Sequence, residues 1–152
     1  MPFLDSLYLR ASESPRRLAF AEAGDERVLE AVRRLRKQGL CIPVLVLDPA
    51  TPELHAAAQA TGAECVDPAH DPHSDRLVEA LIRARAHKGL TLQAAERLAH
   101  DPLVFALWLL HERGVPVIVI DDNEQHVERA HAAGIPAIRG SAAADLVLAE
   151  AH

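Results

Sequence analysis

Short unbroken apolar runs alternate along this chain with longer stretches in which apolar residues recur every three or four positions. The first pattern belongs to strands covered on both faces, the second to amphipathic helices. Phe3, Leu4, Leu7 and Tyr8 lie at helical spacing and Ser14-Pro15 stops them, so residues 2–13 are expected to be a helix. Arg17 to Phe20 reads as a short strand. Asp25 to Gln38 reads as a helix with Val28, Leu29, Val32 and Leu35 on one face and Gly39 as its stop. Residues 43–47 are the next strand, and Thr51-Pro52 reads as an N-cap and first-turn proline opening a helix to Gly62. Cys65 and Val66 lie in a third strand, after which the prolines of DPAHDPHSD (67–75) exclude regular structure. Three helical segments follow, Ser74 to Lys88, Thr91 to Ala99 and Pro102 to Arg113. Val115 to Ile120 is a strand, Asn123 to Ala133 a helix, Pro136 to Ile138 a strand, and Ser141 caps a last helix.

Within this order one unit is written twice, over 37–66 and 111–140. In each copy a glycine ends a helix (Gly39, Gly114), an apolar run follows, an aspartate closes it (Asp48, Asp121), and a second glycine ends the next helix (Gly62, Gly134). Such alternation implies a parallel sheet with helices on both faces. The expected fold is a single α/β domain over 1–152, a three-layer Rossmann-like sandwich with five parallel strands in the order 3-2-1-4-5. The crevice at the carboxyl ends of strands one and four is then the default ligand site, lined by Glu22, Ala23, Gly24 and Asp25 on one side and Asp121 and Asp122 on the other.

Composition sharpens this picture. The 152 residues suit one core, and 49% hydrophobic residues with only 3% aromatics mean that the core is aliphatic. Few aromatic platforms and a net charge of -6 argue against nucleic acid as a partner. The longest apolar run, LVFALWLL at 103–110, is too short to span a bilayer, so no membrane role is expected. Two cysteines, Cys41 and Cys65, fit buried strand positions, and with no apparent signal peptide a reduced cytoplasmic setting is the expectation. Trp108, with Phe105, Leu109 and Leu110, makes a bulky apolar face for core packing, or for a homodimer through this helix.

Candidate chemistry is sparse. Asp121, at a strand end, is placed to accept two ribose hydroxyls, while Asp122 serves equally as a helix cap. No glycine-rich loop supplies the backbone donors that hold a pyrophosphate. His70, Asp71, His73 and Asp75 carry the donor types of a zinc or nickel site, with His70 and His73 the nearest to metal ligands, but prolines 68 and 72 fix an exposed loop and no metal is expected. Acids at 25 and 26 suit a helix first turn, and no serine lies in a nucleophile elbow.

Residues 3–102 resemble the N-terminal part of bacterial phosphotransacetylase, through FLDSL, SPRRLAF-AEAGDERVLEA, the VDP-x-x-DP loop at 66–72 and HKGLTLQAAERLAHDPL at 87–103. The resemblance implies an α/β fold, and it places that family's catalytic serine, arginine and aspartate in a C-terminal part without counterpart here. Residues 111–152 resemble instead the later half of a TrkA-N or RCK nucleotide-binding domain, in ERGVPVIVIDDNEQHVERAHAAGIPAIRGSAAADLVLAEA. That second resemblance implies a ribose at Asp121, and its glycine-aspartate-alanine triplet reads Gly140, Ser141, Ala142. The expectation is therefore a non-catalytic folded domain, a recombined or engineered chimera joined near 103–111, without enzymatic activity or cofactor. Two alternatives stand beside it: a weak NAD or ATP binder using Asp121, Asp122, Gly24 and Gly140, and a phosphotransacetylase-related acyltransferase fragment.

Overall fold

The computed structural model describes residues 3–112, 119–121, 124–132 and 137–139. The chain divides into two compact units, 1–109 and 110–152. The first carries α1 (Phe3–Glu13), β1 (Arg16–Phe20), α2 (Glu26–Lys37), β2 (Cys41–Val46), α3 (His55–Gln59), β3 (Glu64–Val66), α4 (His73–Arg85) and α5 (Leu92–Ala99). α6 (Pro102–Glu112) crosses the boundary, and the second unit holds β4 (Val119–Asp121), α7 (Glu124–Ala132) and β5 (Ala137–Arg139).

The fold is α/β with parallel strands, as the alternation predicts, but the strands form two sheets among the described residues. One has the order β1-β2-β3 and the other pairs β4 with β5, so the expected five-strand order 3-2-1-4-5 is found only as these two parts. The register explains how the first sheet is covered. Phe20, Leu45 and Cys65 make one row across the three strands. That row packs with Leu29 and Val32 of α2 and Ala58 of α3. One residue further on, alternation turns Val46 and its partner Val66 to the opposite face, where they meet Leu77 of α4, Ala99 of α5, and Phe105, Ala106 and Leu109 of α6. Phe105 is fully buried, and truncating such a side chain costs about 3–5 kcal/mol. Trp108 packs partly buried on this core, whereas Leu103 of the same helix faces solvent at 61% exposure.

Toward the amino end this second face opens. Ile42 is 44% exposed, and Arg17 of β1 reaches across β2 to Glu64 of β3, 2.5 Å apart. Pro43 sits inside the central strand, where a missing N–H would ordinarily break a ladder. The Leu47 N–H donates to Val66 C=O (2.8 Å), so by alternation the odd-numbered residues of this strand point toward β3. β3 pairs only from Val44 onward, so Pro43 points past its start, and no ladder bond is lost.

Helix ends follow the sequence in several places and depart from it in one. Asp25 caps α2 by accepting from the Arg27 N–H, and Thr91 caps α5 by accepting from the Ala94 N–H. Asp101 accepts the Leu103 and Val104 amides at the start of α6. Thr51, in contrast, makes no capping bond, and the expected helix from Pro52 to Gly62 is a 3₁₀ turn (Pro52–Leu54) running into the short α3. Gly62, at φ +69°, lies just beyond α3, where a Cβ would also meet Arg36 Nη1 at 2.7 Å.

Candidate functional site

Parallel strands leave a sheet at one end, so the segments after β1, β2 and β3 share one rim of the first unit. The exits of β2 and β3 are built from the same tripeptide, Asp48-Pro49-Ala50 and Asp67-Pro68-Ala69. In each, the aspartate Oδ1 accepts the amide of the second residue on, Ala50 or Ala69, at 2.9 Å. Each aspartate C=O accepts the following amide, Thr51 (3.1 Å) or His70 (3.0 Å). Proline fixes the middle of both turns and the aspartate side chain closes them. Asp71-Pro72 repeats the device immediately, accepting the His73 amide on Oδ1 at 2.8 Å and the Ser74 amide on its C=O at 3.0 Å. Sequence reasoning keeps Asp48 apart from the 67–75 loop, although the repeated Asp-Pro-Ala is a signal that joins them.

Further bonds hold these turns. His55 Nε2 donates to the Asp48 C=O (2.8 Å), and Ser74 Oγ donates to the Pro68 C=O of the second turn. Pro68 is itself fully buried. At the exit of β1, Gly24 approaches Leu54 so closely that a Cβ there would meet Leu54 Cδ1 at 2.7 Å.

Three carboxylates on this rim, Asp25, Asp67 and Asp71, are taken up in local pairs. The Arg27 side chain, then its amide, hold the Asp25 carboxyl down to about 2. Burial pulls Asp67 upward, but hydrogen bonds from His70 and the Ala69 amide, with the charges of His70 and His55, outweigh it and leave the carboxyl below its ordinary value. His70 donates Nδ1–H to Asp67 Oδ2 (2.9 Å) and His73 donates Nδ1–H to Asp71 Oδ1 (2.6 Å). The two metal candidates, His70 and His73, are thus each turned toward a different carboxylate, and no group of three metal-capable side chains occurs among the described residues. Cys41 and Cys65 are free thiols, and burial pushes both upward, Cys65 further through Glu64.

Asp121 ends β4 in register with Arg139 of β5, in the second unit, and Asp122 and Gly140 lie outside the described residues. A shallow groove of about 410 Å³ lies away from the rim, between α1 and the turn into β2, lined by Asp5, Tyr8, Leu9, Ser12, Gln38 and Leu40. It holds no paired acid and base, so the rim is the better candidate. No helix among the described residues is long and apolar enough to cross a membrane.

Comparison with known proteins corrects the functional expectation. The family model described as Phosphate acetyl/butaryl transferase matches residues 2–129 without a break. It runs through the expected seam at 103–111 and past Asp121, into the segment read as a second, TrkA-N-like piece. A phosphate acetyltransferase of Treponema pallidum is 28% identical over 142 residues, 91% of this chain and 42% of its own length. One from Helicobacter pylori is 30% identical over 114 residues, 73% of this chain and 22% of its own length. The crystal structure of a phosphotransacetylase from Streptococcus pyogenes superposes with a TM-score of 0.60 at 20% identity, covering 93% of this chain and 44% of that one. A join of two borrowed pieces does not carry one family's pattern across the join, so the chimera without activity gives way to membership of an enzyme family. The chain spans less than half the length of these relatives. On the strength of that unbroken match, the chain belongs to the phosphate acetyl/butaryl transferase family.

Proposed function

We propose that this chain serves acyl transfer between phosphate and a thiol carrier, with an acyl phosphate such as acetyl phosphate and coenzyme A as the substrate pair. The observation that carries the reading is the continuous family match over residues 2–129. An acid-lined rim is a poor host for phosphate, since transfer of charged groups wants positive charge or donors arranged in advance. The pairing of the rim acids answers that objection. Asp25, Asp67 and Asp71 are engaged by Arg27, His70 and His73, and their oxygens already accept backbone amides. Arg27, at 91% side-chain exposure, brings a cation to the solvent side of the same rim.

The test is turnover by the chain as it stands. Acetyl-coenzyme A consumed only when inorganic phosphate is present, with acetyl phosphate accumulating as its hydroxamate, is the expected result. A rate that stays at the level of the protein-free control overturns the reading.

A further inference from the structure

We draw no further inference here: the strongest candidate, the solvent face of α6 on which Leu103 and Leu107 stand exposed, is an apolar helix face, and nothing among the described residues shows what covers it.

Discussion

The turns that follow β2 and β3 begin with the same three residues and end as different objects. Both place an aspartate at a strand end, a proline after it and an alanine amide on Oδ1. At Asp48 the neighbouring histidine, His55, donates to the backbone carbonyl. At Asp67 the neighbouring histidine, His70, donates to the carboxylate. The first arrangement is a brace between a turn and the helix after it. The second couples a charge to an imidazole that faces water. The same local text therefore yields a braced carbonyl or a paired carboxylate according to which oxygen the next histidine reaches, and that depends on distance along the chain: seven residues on for His55, three for His70.

What the two turns share should be the most sensitive. Leu45 lies in the strand that feeds the first turn and in register with the strand that feeds the second, and it is fully buried. Leu45→Ala is expected to cost about 2–5 kcal/mol in chemical denaturation and to loosen both turns together. Loss of protection at only one of the Ala50 and Ala69 amides in hydrogen exchange would show that the turns are held independently. Next come the individual braces. Ser74→Ala at the second turn and His55→Ala at the first should each cost about 0.5–1.5 kcal/mol, and hydrogen exchange should place each loss in its own turn.

Acid separates the turns further. The folded Asp67 carboxyl lies below its unfolded value of 3.8, so the folded state binds fewer protons across that interval. Its contribution to stability is present in full above pH 3.8 and is lost as pH falls through the lower, folded value. Asp67→Asn should flatten the acid limb of a stability-versus-pH curve in that window, and an unchanged limb would show that the His70 pairing adds nothing. The smallest effect belongs to the arginine-paired relative at the exit of β1. In Arg27→Ala the Asp25 carboxyl should climb from about 2 toward 3.8, followed by carbonyl NMR.

Much of the first unit was legible before any coordinates. The helix expected over Asp25 to Gln38 is found as Glu26–Lys37 because Val28, Leu29, Val32 and Leu35 repeat at helical spacing, and Asp25, read as a first-turn acid, is its cap. The stretch after Thr51 misleads, since a threonine-proline pair satisfies the pattern of a helix start while the bonds there come from Asp48 and His55. Strand order was readable as far as β1-β2-β3, whose connections are short; β4 and β5 lie beyond three helices, and local periodicity says little about pairing across such a gap. Functional class was the larger miss. Residues 3–102 resemble one family and 111–152 another, which points to separate origins, whereas one family's pattern runs from residue 2 to 129. At the rim the residue types of the 67–75 loop read as metal donors, but donor type alone does not reveal that each imidazole is already turned toward its own aspartate.

Pro43 has a consequence for the donors inside this unit. The ring is buried in the central strand, and the third strand begins one residue too late to set an acceptor opposite it. Valine at the same place would carry an N–H into the interior with no ladder partner across from it. A residue that looks like a flaw in a strand therefore spares the sheet an orphaned donor.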